Sequence, residues 1–452
     1  MTTRLATLGL AVALLAPVGL VAAGTWNASL SRATPLESTM MTVPHLLALR
    51  AHAGSDRVAD AVQLALEAGA SEARLAGVAV PAAPVLAAMP PAAALRELAA
   101  RHGAVPSPQA LEGLAALDAM PGPAQQALGR LVVAFLAMDS AADAGLAGLR
   151  LAPQDLPADL SVPQAWARAG VDFAPALAAR ASLLDAVAAL SAAMGQSPPD
   201  PLPERVEVPG VFVIDFTDTD NTYAADLSLV VDKGGDDLYL NNAGGSHGRG
   251  AAALVDYTGN DRYVSEGRSG VNGGAFIGLG LLFDGHGDDV YAAEDDGTNG
   301  GAYLGAGMLV DASGSDTYRV FGWGANGGGY PGGLGALVDY AGDDTYTGMY
   351  EAVNGGGALG GSGLLFDGGG ADAYSATWGG VNGGAEGGHG LLIDAGGDDA
   401  YTASGGGVNG GGATGVGLLW DDGGRDAYLD FEGGSGFDVT VLPKGTGAQV
   451  DQ

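Results

Sequence analysis

Between Asp232 and Tyr428 the pattern D-x-x-G-x-D-x-Y occurs eight times, each copy starting 24 to 28 residues after the previous one. The copies begin at Asp232, Asp256, Asp284, Asp311, Asp339, Asp367, Asp394 and Asp421, and their second carboxylates are Asp237, Asp261, Asp289, Asp316, Asp344, Asp372, Asp399 and Asp426. A unit of this length cannot bury an apolar face by itself, so it must stack on its neighbours. The spacing predicts a parallel β-helix or β-roll solenoid of about eight 27-residue rungs over residues 211–440. A propeller blade needs roughly 40 residues for its four strands and does not fit this period.

Reading the repeats against one another separates their positions. Two residues before the first Asp stand Val230, Leu254, Leu282, Leu309, Leu337, Leu365, Leu392 and Leu419, a ladder expected in the solenoid core. The residue just before that Asp is also apolar, from Val231 to Trp420. A strand apolar on both faces is usually covered on both, so its outer side packs on the N-terminal half, an extra layer or a partner subunit. Six repeats carry Asn-Gly-Gly at Asn272, Asn299, Asn326, Asn354, Asn382 and Asn409. At about 4.8 Å per rung, identical asparagines can bond amide to amide along the stack. The degenerate copy Asp215–Tyr223 reads as an N-terminal cap, and the decay of the pattern after Tyr428 reads as its C-terminal counterpart.

The net charge of −33 is unevenly distributed: from Val211 onward there are 35 acidic residues against 7 Lys and Arg, and 30 of the 35 are Asp. Asp has the short carboxylate that caps turns and coordinates calcium, whereas a solvating surface uses Glu as freely. So much negative charge disfavours nucleic acid as a partner. Stacking would align up to sixteen carboxylates, which repel one another by several kcal/mol at moderate dielectric. The motifs themselves contain as cations only Lys233, Arg262 and Arg425. Several structural Ca²⁺ ions held by the sixteen motif aspartates would neutralise the stack; the alternative is that the aspartates cap turns by accepting backbone N–H bonds.

The segment Asp284–Tyr291, DGHGDDVY, has Gly285, Gly287, Asp289 and Tyr291 in the order G-x-G-x-D-x-Y. It resembles the calcium-binding nonapeptide of RTX, or hemolysin-type, repeat proteins. The resemblance implies calcium held between successive turns by Asp237, Asp261, Asp289, Asp316, Asp344, Asp372, Asp399 and Asp426, together with turn carbonyls. Here the motif recurs about every 27 residues instead of in tandem nines, and Asp stands at the first Gly. One such turn per rung resembles a three-sided β-helix with a single calcium edge.

The N-terminal half is different in kind. Residues 1–23 read as a signal peptide or an uncleaved membrane anchor: Arg4, the apolar run Leu5–Leu20, then small residues. Residues 42–195 form an Ala/Leu-rich helical domain, with helices expected at 57–68, 92–102, 109–119, 124–141 and 176–194. Ser55 with Asp56, and Ser107 before Pro108, read as helix caps. His45, His52 and His102 are scattered and read as ordinary helix-surface residues. Residues 196–210 read as a Pro-rich linker and 441–452 as a tail. There is no cysteine, so stability must come from burial, stacking or metal.

The leading expectation is a secreted or cell-surface structural or adhesive protein, whose partner is a cell-surface polysaccharide or another surface protein. Contact with a membrane is expected only through the N-terminal segment. The alternative is a β-helix polysaccharide lyase or glycoside hydrolase, for which Asp295, Asp296, Glu351 and Glu386 are the candidate acids; no catalytic cluster stands out. Where the repeats diverge stand Arg268, Trp323, Tyr350 and Trp378, a row suited either to stacking on sugar rings or to loop packing.

Overall fold

The computed structural model describes residues 35–451 apart from 52–56, 121, 158–159, 196–203, 249, 379–381, 405–408, 412–414, 431–438 and 442–445. The expected signal segment, His52 and the Ser55–Asp56 cap lie outside the described residues. Among the described residues, seven α-helices are followed by a parallel β-solenoid of about seven turns of roughly 27 residues. The helices are α1 (Pro35–Ala51), α2 (Arg57–Leu75), α3 (Pro91–Arg101), α4 (Pro108–Leu117), α5 (Gly122–Leu146), α6 (Val162–Ala169) and α7 (Ala174–Gly195). Two of these, α1 and α6, escape the sequence reading, while Ser107 caps α4 as expected, its Oγ accepting from Ala110 N at 3.1 Å. His45 meets Glu67 at 3.3 Å and His102 faces Asp139 at 3.5 Å.

Each full turn of the solenoid contributes one strand to each of three sheets. Sheet 1 collects the strands that run into the first Asp, such as Leu279–Asp284, Ala306–Asp311 and Leu334–Asp339. Sheet 2 collects the strands through the motif tyrosine, such as Val290–Ala293 and Thr317–Val320. Sheet 3 is built from two-residue strands that follow the Asn-Gly-Gly corner, such as Ala302–Tyr303 and Gly329–Tyr330. Pairing between turns is parallel and keeps identical positions in register, Leu309 on Leu337 and Leu337 on Leu365.

Period-two alternation sorts sheet 1 into two faces. Leu254, Leu282, Leu309, Leu337, Leu365, Leu392 and Leu419 point inward and pack against the motif tyrosines in one buried cluster. The tyrosines stack face to face from Tyr223 to Tyr428, with centroids 4.7–4.9 Å apart. The Asn ladder is also present: Asn272 Nδ2 donates to Asn299 Oδ1 at 2.9 Å, and the chain of amides continues to Asn409.

The outer face of sheet 1 is covered by the helical region, which settles the three-way choice left by the sequence. Phe283, Val310, Val338, Phe366, Ile393 and Trp420 share a buried cluster with residues of α2, α5 and α7. Polar anchors fix the docking: Trp166 Nε1 donates to Gly332 O at 2.8 Å, Tyr257 Oη to Val187 O at 3.1 Å, and Arg50 Nε to Gly368 O at 3.0 Å. Glu72 of α2 and Arg180 of α7 are both buried at this interface. Burial raises Glu72 well above the carboxylate range and lowers Arg180 to about 10, each opposed by the other's charge.

Sheet 1 is bounded at each end by an antiparallel pair. Arg205–Val208, in the segment read as linker, pairs antiparallel with Phe212–Asp215. Thr446–Asp451, read from the sequence as tail, instead continues the sheet in parallel register with Val416–Asp421, and Val439–Val441 pairs antiparallel with it.

Candidate metal centre

All sixteen motif aspartates lie on the turn from sheet 1 to sheet 2. The first Asp of each motif is the residue after the outward apolar one, so the strand's alternation sends it inward, on the same side as the leucine two before it. All eight are fully buried. In six of the eight both oxygens have work, whereas Asp284 and Asp421 leave Oδ1 without a hydrogen bond. One caps the turn: Asp311 Oδ1 accepts from Ser313 N at 3.0 Å, Asp339 Oδ1 from Ala341 N at 3.1 Å, and Asp367 Oδ1 from Gly369 N at 2.8 Å. The other receives the phenol of the preceding turn: Tyr263 Oη donates to Asp284 Oδ2 at 2.5 Å, Tyr291 to Asp311 at 2.6 Å and Tyr318 to Asp339 at 2.7 Å. Turn-capping is therefore real for six of these eight aspartates.

The second Asp is different. Its Oδ1 accepts the backbone N–H of the second Asp one turn earlier, at 2.5 Å from Asp261 N to Asp289, 2.6 Å from Asp316 N to Asp344 and 2.6 Å from Asp344 N to Asp372. Its Oδ2 has no donor in seven of the eight, the exception being Asp237, which accepts from Tyr239 Oη at 3.5 Å. In Asp261, Asp289, Asp316, Asp344, Asp372, Asp399 and Asp426 this buried oxygen is left without a hydrogen bond, an arrangement that costs free energy unless something else compensates it.

Consecutive turns bring these oxygens together. Carboxylate oxygens of Asp232, Asp237 and Asp256 lie within 4.8 Å of one another, as do those of Asp261, Asp284 and Asp289, of Asp289, Asp311 and Asp316, of Asp316, Asp339 and Asp344, and of Asp344, Asp367 and Asp372. Asp394, Asp399, Asp421 and Asp426 hold the same register further along. An ion with oxygen ligands at roughly 2.3–2.6 Å fits such a triad, because its ligands stand at most about twice that distance apart. Each triad joins two turns, so a bound ion would bridge rungs.

The motif glycine allows the close stacking of the turns. A Cβ on Gly287 would stand 1.5 Å from Gly259 O, and one on Gly342 1.7 Å from Gly314 O. No side chain fits there, which is why the fourth motif position is glycine in all eight copies.

The electrostatics are unfavourable to bare charge. Burial first, and then repulsion from neighbouring carboxylates, raises Asp256, Asp261, Asp289, Asp311, Asp316, Asp344 and Asp367; burial likewise pushes Asp421 up to about 8, against the Tyr428 hydrogen bond. At the N-terminal end a protein cation occupies the column. Arg205 Nη1 lies 3.2 Å from Asp215 Oδ2, and its guanidinium sits 5.1 Å from the centroid of Tyr223.

The remaining sequence candidates lie elsewhere, around sheet 3. Asp296 Oδ1 accepts from Trp323 N at 3.0 Å, and Glu351 is raised by burial and by Glu386. His247, Phe276, Tyr303 and Tyr330 form an outward aromatic ladder on this sheet that the sequence reading missed. Their common place in the repeat, four residues after the Asn for the last three, was the available signal. A surface cavity of about 350 Å³ opens beside His247, lined also by Asp226, Asn242 and Arg268, far from the motif aspartates in the repeat.

No protein family, curated protein or solved structure matches this chain. The fold and the stacked aspartate turns define a repeat structural protein, compatible in its turn geometry with RTX-like repeats.

Proposed function

We infer that this chain is a secreted or cell-surface structural protein whose solenoid is stiffened by calcium ions bound between successive turns. The observation that carries this reading is the row of seven buried second-Asp oxygens without a donor, one per turn. The protein's own groups satisfy the other aspartate oxygens of the motif almost throughout, so the unsatisfied row is specific. A hard divalent cation matches a dense set of carboxylate oxygens, and ions that bind only the folded state raise its stability with concentration.

The test is calorimetric titration of chelator-treated protein with CaCl₂, paired with melting in EGTA and in millimolar calcium. Several ions per chain and a calcium-dependent rise in Tm are expected. Replacing Asp344 and Asp372 together by Asn keeps an oxygen for the backbone N–H while removing charge from the triads, and is expected to lower the stoichiometry. Identical melting in chelator and calcium, with no heat of binding, would leave the aspartates as turn caps alone.

A further inference from the structure

The fifth motif position, the residue just before the second Asp, follows a period of two turns. Asp236, Asp288, Asp343 and Asp398 alternate without a break with Asn260, Ser315, Ala371 and Arg425, and all four acids are exposed. Each of them reaches forward over one junction between turns. Asp236 Oδ1 accepts from Asn260 N at 2.9 Å, Asp288 Oδ1 from Ser315 N at 2.9 Å, Asp343 Oδ1 from Ala371 N at 2.9 Å and Asp398 Oδ1 from Arg425 N at 3.0 Å. The junctions in between have no charged acceptor at this position. Asp288 N donates to Asn260 Oδ1 at 2.9 Å, Asp343 N reaches Ser315 Oγ only at 3.4 Å, and Ala371 has no side-chain oxygen to offer Asp398. An ionised acceptor makes the stronger bond, so the eight motifs are tied in four pairs, which begin at Asp232, Asp284, Asp339 and Asp394.

The buried column beneath cannot treat its junctions as independent. Asp289, Asp316 and Asp344 each belong to two triads, one with the turn before and one with the turn after. Each offers a single oxygen, Oδ2, that no donor occupies. Ions in adjacent junctions therefore draw on the same oxygen and stand about one rung, or 4.8 Å, apart. Two divalent charges repel four times as strongly as two unit charges at the same distance. Filling one junction weakens the next, and only alternate junctions escape this coupling.

Resting on the calcium reading, we propose that the ions enter in two classes: a tight class at the four junctions within the pairs and a weaker class at the three junctions between pairs. Within a pair the outer Asp adds a further carboxylate over the junction, so these junctions fill first. The triad of Asp232, Asp237 and Asp256, that of Asp289, Asp311 and Asp316, and that of Asp344, Asp367 and Asp372 belong to the tight class. The fourth tight junction joins Asp399 to the turn of Asp421 and Asp426. The triad of Asp261, Asp284 and Asp289 and that of Asp316, Asp339 and Asp344 belong to the weaker class. The solenoid then stiffens in two steps over a wide range of calcium concentration instead of at one threshold.

The test is calorimetric titration of the full-length, chelator-treated protein with CaCl₂ at low salt. About four tight ions and about three weaker ones are expected, roughly tenfold or more apart in affinity. Terbium emission, sensitised by the stacked motif tyrosines, is expected to rise in the same two phases. Replacing Asp236, Asp288, Asp343 and Asp398 together by Asn keeps an oxygen for each backbone N–H and leaves every triad intact. That variant is expected to bind the same number of ions, with the tight class weakened by roughly threefold. Seven equivalent sites in the wild-type protein, or a tight class of unaltered affinity in the variant, would overturn the proposal. Absence of any binding heat and of any terbium signal is a distinct result, which removes calcium from the column altogether and the two classes with it.

Discussion

Each motif aspartate divides its oxygens between tasks, and the division follows from where the strand's alternation leaves it. In six of the eight motifs the inward first Asp spends one oxygen on the turn and one on a tyrosine, whereas in seven of the eight the second Asp leaves Oδ2 without a donor. This has a consequence for pH. Burial raises Asp421 from 3.8 to about 8 and raises its counterparts along the column. The metal-free folded chain therefore binds more protons than the unfolded chain across roughly pH 4 to 8, so its stability is full at acid pH and falls as pH rises through that window. Melting in EGTA at several pH values should show Tm decreasing from about pH 4.5 to about pH 8, and calcium should flatten the decline. A Tm in EGTA that rises with pH would contradict the burial of these carboxyls.

At the scale of the strand and the turn, the leucine ladder is the simplest load. Leu337 is fully buried between Leu309 and Leu365 in register, so Leu337→Ala is expected to cost about 2–5 kcal/mol in denaturant unfolding. A loss below about half a kcal/mol would place the ladder outside the core. This much was legible in the sequence because a repeat reports each position several times over: the rung length, the inward leucines and the Asn column all follow from register alone. The inward turn of the first aspartates was legible too, since Leu282, Phe283 and Asp284 alternate, but reading both aspartates as one charged edge ignores that alternation. The cover over Phe283, Val310 and Val338 was not legible. It comes from α2, α5 and α7, more than 80 residues away in the chain, and apolar pattern alone does not say which surface meets which. Arg205 as the terminal countercharge was hidden for the same reason, standing in a segment whose prolines suggested only a linker.

For the molecule as a whole, the helical region is the second wall of sheet 1. A chain truncated to residues 204–452 would uncover Phe283, Val310, Val338, Phe366, Ile393 and Trp420 as one continuous apolar face, and such faces associate. Sedimentation or light scattering should show oligomers or aggregates for the truncated chain and none for the full-length protein under the same conditions; a soluble monomeric fragment would show that the helices are dispensable as cover. The ends of sheet 1 carry a different implication. Every internal edge of a parallel stack looks like every other, so an unmodified terminal rung would accept the first rung of another molecule and growth would not stop. Here the strand Arg205–Val208 at one end and Val439–Val441 at the other run against the stack, and the next copy's rung finds no matching register there. Length is thus a counted quantity: each additional motif copy would extend the object by about 4.8 Å, and the two reversed strands act as stops on a ruler that would otherwise be a fibre.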